Sequence, residues 1–164
     1  MTPSTITSRI DGDLLKVQGL LEANQERVYE AWTRPADLLR WFGPRDGAVA
    51  TIDVDLRVGG RLMVTFASAP EETNFIECEY LELEPPQRLS FTWTHVIGPA
   101  NGARPSAPTS EVSVSFHPEG AHTRFELIHR GLSDGGRQSV SNGWTVTTQR
   151  CADYLSQQAQ TDRG

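Results

Sequence analysis

The spacing of apolar residues along this chain switches from helical to extended and back to helical, and few architectures accommodate that order. Leu14 to Leu21 reads as a β-type run. Asn24 then offers an N-cap to Gln25–Trp32, whose Val28, Ala31 and Trp32 share one helical face. Pro35 opens a second short helix, Ala36–Phe42, which Gly43-Pro44 ends. Beyond it the period is 2. Ile52, Val54 and Leu56 alternate with Thr51, Asp53 and Asp55, and Gly59-Gly60 is a hairpin signal. Leu62, Val64 and Phe66 alternate next, a longer strand follows from Asn74 to Glu84, and Pro85-Pro86 turns the chain. Leu89, Phe91, Trp93 and His95 then share a face, as do Val112, Val114 and Phe116, and Thr123, Phe125, Leu127 and His129. Gly98 to Pro108 reads as a loop. From Asp134 to Gln158 the period is helical again, with one long stripe through Val140, Trp144, Thr147, Cys151 and Leu155.

Strands gathered in one run, with helices kept apart from them, give an α+β fold. About six or seven antiparallel strands present one apolar face, and only the last helix is long enough to cover it. The sheet is therefore expected to curl around that helix, with the two short helices after the first strand. At 164 residues the chain suits one domain, taken as 13–160 behind a polar, flexible stretch at 1–12.

Charge and composition narrow the partners. With 15 basic and 21 acidic residues the net charge is −6, so a basic nucleic-acid footprint and a polybasic membrane patch are both missing. No apolar run approaches the roughly 18 residues of a membrane span, and the first residues lack a secretory pattern. Cys78 and Cys151 read as reduced thiols of a cytoplasmic protein, one bridge between them being left open. His95, His117, His122 and His129 lack zinc spacing, so no metal is expected. Gly59-Gly60 is no phosphate cradle and Lys16 is the single lysine, so no cofactor is expected either. Monomer and homodimer both stay open.

Candidate chemistry gathers on the hairpin around Pro85-Pro86. If Leu83 lies across from Leu89, then Leu81 faces Phe91, Glu79 faces Trp93 and Glu77 faces His95, all toward the concave side. A Glu beside a His in a half-dry pocket is an acid/base pair, each stabilising the charged form of the other. Ile76, Cys78 and Tyr80 form a rival inward set, which would turn Glu77 and Glu79 outward. His129 shares the concave face or sits at its solvated rim. Cys151, on the helix stripe with no basic neighbour in sequence, reads as an inert small hydrophobe.

Several segments, in this order, carry a family likeness. They are Val28-Tyr29-Glu30-Ala31-Trp32-Thr33 with Pro35 and Leu38; Trp41-Phe42-Gly43-Pro44; Asp55-Leu56-Arg57-Val58-Gly59-Gly60-Arg61; Tyr80 to Trp93; Val112 to Phe116; and Gly143-Trp144 before Tyr154-Leu155. Over about residues 14–157 the chain resembles the START and birch-pollen-allergen-like superfamily, and more closely bacterial proteins related to the activator of heat-shock-protein-90 ATPase. The resemblance implies a helix-grip fold with a cavity between sheet and long helix for a small apolar, aromatic or polyketide-like molecule. Phe75, Trp93, Phe116, Phe125, Trp144, Thr148 and Cys151 would wall it, with Trp41 and Phe42 at its mouth. Glu77, His95 and Thr148 would anchor the ligand, His129 lying close by. The family usually places leucines where Thr148 and Cys151 stand, so extra room is expected there, and the Ile97–Pro108 loop is longer than its counterpart. Three functions follow from the likeness: a binding protein, which leads; a polyketide cyclase or dehydratase with Glu77 and His95 as base and acid; and a chaperone ATPase co-activator.

Overall fold

Period-2 alternation becomes an open antiparallel sheet whose apolar face closes on the C-terminal helix. The computed structural model describes residues 6–163. The strands are β1 (Thr7–Asp11), β2 (Leu14–Leu21), β3 (Val49–Val54), β4 (Arg61–Phe66), β5 (Glu72–Glu84), β6 (Arg88–Pro99), β7 (Arg104–Pro105), β8 (Ser110–Glu119) and β9 (His122–Arg130). They lie in the order β1-β2-β9-β8-β6-β5-β4-β3, with β7 paired to β6 off that path. Helices α1 (Gln25–Thr33) and α2 (Pro35–Trp41) follow β2, and α3 (Arg137–Arg163) comes after β9. This is the helix-grip arrangement expected from the sequence, with two strands added at its margins.

Those two additions had no apolar alternation to announce them. Residues 7–11, expected to fray, pair with β2 from Thr7↔Gln18 to Asp11↔Leu14, although every side chain of β1 is exposed. The rest of the expected flexible stretch, residues 1–5, lies outside the described residues. Within the expected Gly98–Pro108 loop, Arg104 and Pro105 fold back onto Ile97 and Val96. Leu56 lies beyond the end of β3 and is exposed.

Local chemistry explains the helices. Asn24 Oδ1 accepts the Arg27 N–H at 2.9 Å, the cap read from sequence. Pro35 stands in the first turn of α2, where a missing N–H costs nothing. A polar network then ties all three helices together. Arg27 donates twice to Asp37, at 2.9 and 2.8 Å, and to Gln158 Oε1; Tyr154 Oη donates to Asp37 at 2.6 Å. Burial pushes the Asp37 carboxyl up, but the Arg27 and Tyr154 hydrogen bonds outweigh it and hold the group below the usual carboxylate range.

The core fills the space between sheet and α3. Leu15, Val17, Val112, Val114, Phe116, Phe125 and Leu127 point inward from the central strands and are fully or almost fully buried. Trp32, from α1, stacks on Trp144, from α3, at 6.2 Å, and lies 4.8 Å from Trp41 and 6.0 Å from Phe116. Aromatic side chains bury about 150–250 Å² each, so this cluster makes a large share of the apolar contact between the helices and the sheet.

Candidate functional site

One register detail decides which side chains reach the interior. Leu83 does lie opposite Leu89, but a bulge between Tyr80 and Glu82 shifts the β5–β6 pairing. Beyond it Tyr80 pairs Phe91, Glu77 pairs Thr94 and Ile76 pairs His95. Because successive side chains alternate between faces, the extra residue turns Ile76, Cys78 and Tyr80 inward and Glu77 and Glu79 outward. Glu77 sits 3.7 Å from Arg61 on the outer face, both exposed. The expected Glu77–His95 pair is therefore not formed. Phe75, expected as a wall, faces outward for the same reason and lies outside the core cluster.

The expected cavity floor is also occupied. Trp41 is fully buried and donates from Nε1 to the Ala31 carbonyl at 2.9 Å. Phe116, Phe125, Thr148 and Cys151 are each no more than 1% exposed. Thr148 Oγ1 donates to the Trp144 carbonyl one turn back, at 2.7 Å, so its hydroxyl is already satisfied. The room foreseen beside Thr148 and Cys151 is filled by tryptophan and phenylalanine. Burial pushes the Cys151 thiol far up, which leaves it inert, and both cysteines are free and buried.

Open space survives toward the other end of the grip. A chamber of about 430 Å³, half open to solvent, lies between β4–β6, the first half of α3 and the segment after α2, within the size range of small-molecule sites. Phe42, Phe66, Ile76, Trp93 and Trp144 form its apolar walls. The three largest rings form one surface: Trp93 is 5.0 Å from Trp144, and Phe42 is 6.3 and 6.0 Å from the two. From α3, Ser139, Gly143 and Thr147 recur every fourth residue and complete the wall with Val140. A second chamber of about 440 Å³, bearing Ser106, Ser110 and Ser133, shares Trp93, His95, Ser139 and Val140 with the first. An open hollow of about 680 Å³ at the far ends of β5 and β6 has no aromatic wall.

The segment over the chamber is fastened from α3. Arg150 Nη1 donates to the carbonyls of Trp41, Phe42 and Gly43 at 3.1 to 3.3 Å, and its Nη2 meets Asp46. A guanidinium there satisfies carbonyls that α2 leaves unpaired at its C-terminus. Thr147 Oγ1 adds a bond to the Gly43 carbonyl at 3.3 Å. Gly43 has φ +97°, and a Cβ there would meet Val49 at 3.1 Å, so glycine suits this bend on both counts.

Two histidines have opposite surroundings. His95 is half-buried on the chamber wall, and its Nε2 lies 2.6 Å from Asn74 Oδ1. An amide oxygen only accepts, so Nε2 carries the proton and Nδ1 remains an acceptor. Burial pushes the His95 pKa down, which keeps the ring neutral at pH 7. His129 lines neither chamber and is fully buried, not at a solvated rim. Its Nδ1 accepts the Trp144 indole N–H at 3.0 Å, so Nε2 bears the proton toward Ser110 Oγ at 2.7 Å. Burial lowers its pKa to about 4.

Of the residues read from sequence, the structure brings Phe42, Trp93, His95 and Trp144 together on one chamber wall. Asn74, Phe66, Val140, Thr147 and Arg45 were not foreseen there. Phe66 and Thr147 carried a signal, since Phe66 continues the Leu62–Val64 alternation and Thr147 belongs to the α3 stripe. Asn74 shares the parity of Ile76, Cys78 and Tyr80, the rival inward set.

The family model for Activator of Hsp90 ATPase homolog 1-like protein matches residues 22–156. The chain belongs to that family. Its match runs from just before α1 into the last turns of α3, and so includes every element around the chamber. No curated protein matches the chain. Among solved structures it is similar to a protein from Arthrobacter aurescens, with 19% identity, 95% of this chain and 93% of that one covered, and a TM-score of 0.77. CalU16 from Micromonospora echinospora gives 23% identity, coverage of 98% and 90%, and a TM-score of 0.63. DynU16, a protein of the dynemicin biosynthetic locus, gives 22% identity and a TM-score of 0.68; 89% of this chain is covered but only 48% of DynU16. At these identities the likenesses establish the fold. No helix among the described residues is long and apolar enough to cross a membrane.

Proposed function

We propose that this family member binds a small aromatic molecule in the chamber walled by Phe42, Phe66, Trp93 and Trp144. One observation carries the reading: an apolar, ring-lined space of about 430 Å³ has the His95–Asn74 pair set into its wall. Apolar walls with few fixed polar groups are the usual makeup of a small-molecule site. The neutral His95 offers Nδ1 as an acceptor for a hydroxyl or N–H of the ligand. That DynU16 comes from the dynemicin biosynthetic locus supports a link to small-molecule biosynthesis. Two buried, free cysteines agree with a cytoplasmic setting.

A cyclase or dehydratase reading loses its carboxylate, since Glu77 lies on the outer face, and keeps only His95 as a proton acceptor. Native mass spectrometry of the purified protein, mixed with an extract of the cells that make it, separates the readings. A small molecule retained by the native protein and released unchanged on denaturation is the expected result. A molecule released at altered mass would replace binding by catalysis. An empty protein would refute the binding reading and turn attention to the surface of the chaperone co-activator reading.

A further inference from the structure

We propose that the molecule held in the aromatic chamber carries an oxyanion, such as a carboxylate or sulfonate, and that Arg45 at the rim receives it. The inference rests on the chamber being a binding site. Arg45 is the one formally charged side chain among the lining residues. The chain has 21 acidic residues, and none lines this chamber or its neighbour. The lining thus carries one formal positive charge in a protein of net charge −6.

The guanidinium is also uncommitted. Asp46, the adjacent carboxylate, is engaged by Arg150. Arg45 itself makes no side-chain hydrogen bond or ion pair with the described residues, while its carbonyl accepts the Ala48 N–H at 3.2 Å. The backbone is thus fixed by Arg150 and Ala48, while the side chain is exposed and unpaired among the described residues. A ligand whose rings lie on Phe42, Trp93 and Trp144 would bring a terminal oxyanion to the rim, where a planar guanidinium can bind it with two parallel N–H donors.

Two probes with one ring skeleton test this. 8-Anilinonaphthalene-1-sulfonate carries a sulfonate, and N-phenyl-1-naphthylamine does not. Both are titrated by fluorescence into the full chain, into Arg45→Gln and into Gly143→Leu. Arg45→Gln is expected to weaken the sulfonate probe about three- to tenfold while moving the neutral probe by less than about twofold, and added salt should weaken only the sulfonate probe. Gly143→Leu should weaken both. If both probes bind the wild type but Arg45→Gln shifts neither, or shifts both alike, the anion proposal is overturned and the chamber reading stands. If neither probe binds, or Gly143→Leu leaves both unaffected, the chamber reading itself fails.

Discussion

His95 Nε2 stands 2.6 Å from Oδ1 of Asn74, which lies diagonally across from it, two residues before its cross-strand partner Ile76. That bond fixes the imidazole tautomer and leaves Nδ1 as the acceptor on the chamber wall. His95→Ala is expected to weaken binding of the molecule identified by mass spectrometry about tenfold or more, with the unfolding transition little changed. Asn74→Ala should cost less, about 1 kcal/mol or roughly fivefold, because it frees the ring without removing it. Affinities unchanged in both variants would remove His95 as an anchor.

His129 makes stability depend on pH in a window of its own. Burial lowers its folded-state pKa to about 4, against the ordinary 6.5 in the unfolded chain. Between those values the unfolded chain takes a proton that the folded one refuses, so stability falls as pH drops from 6.5 to 4, by about 3 kcal/mol. His95, also lowered by burial, acts in the same direction. Asp37, held below the ordinary carboxylate value of 3.8, loses its contribution only at lower pH. Urea midpoints at pH 7 and pH 4.5 read the effect. The difference should shrink in His129→Leu, although that variant is less stable throughout, and an unchanged difference would place the titration elsewhere.

The Arg27–Asp37 pair should matter far more than its exposed neighbours. Side chains at 26% and 9% exposure, joined by two hydrogen bonds, are desolvated enough that removing one strands the other. Asp37→Ala is expected to cost about 2–3 kcal/mol, a fall of about 5–10 °C in Tm. Glu30→Ala, removing a half-exposed partner 3.7 Å from Arg27, should stay within about 0.5 kcal/mol. Equal effects would mean that the network does not join the helices.

How far the sequence could be read depended on parity. Strand alternation and the α3 stripe were enough for a sheet curled on its last helix and for turning Trp93, His95 and Trp144 to the concave side, while the family likeness placed Phe42 at the cavity mouth. The bulge defeated the placement of Glu77 and Phe75, because one extra residue exchanges the two faces. A trace of it was visible: the inward apolar set is even-numbered through Ile76, Cys78 and Tyr80, then odd-numbered at Leu83. Side-chain volume defeated the cavity floor. Periodicity turns Phe116, Phe125 and Cys151 inward and the family likeness adds Trp41 and Thr148, but neither reports that the rings meet and leave no space.

This filling has an engineering consequence. Thr148→Trp, the blocking change that the family likeness suggests, would force a ring into a fully buried site and destabilise the fold by about 1–3 kcal/mol or more. Gly143 lines the chamber, is exposed, and a Cβ added there meets nothing within 4 Å. Gly143→Leu should therefore raise stability by about 0.5–1 kcal/mol through helix propensity while occupying the chamber. Thermal unfolding checks the first effect and ligand titration the second. A destabilised Gly143→Leu would show that the space is smaller than the structure gives.

The four tryptophans locate the ligand most directly. Each contributes one indole N–H signal to a nitrogen–proton correlation spectrum. With N-phenyl-1-naphthylamine added, the signals of Trp93 and Trp144 should shift while that of Trp41, buried and bonded to the Ala31 carbonyl, stays in place. Four unmoved indoles, or a shift largest at Trp41, would contradict binding in the chamber beside His95.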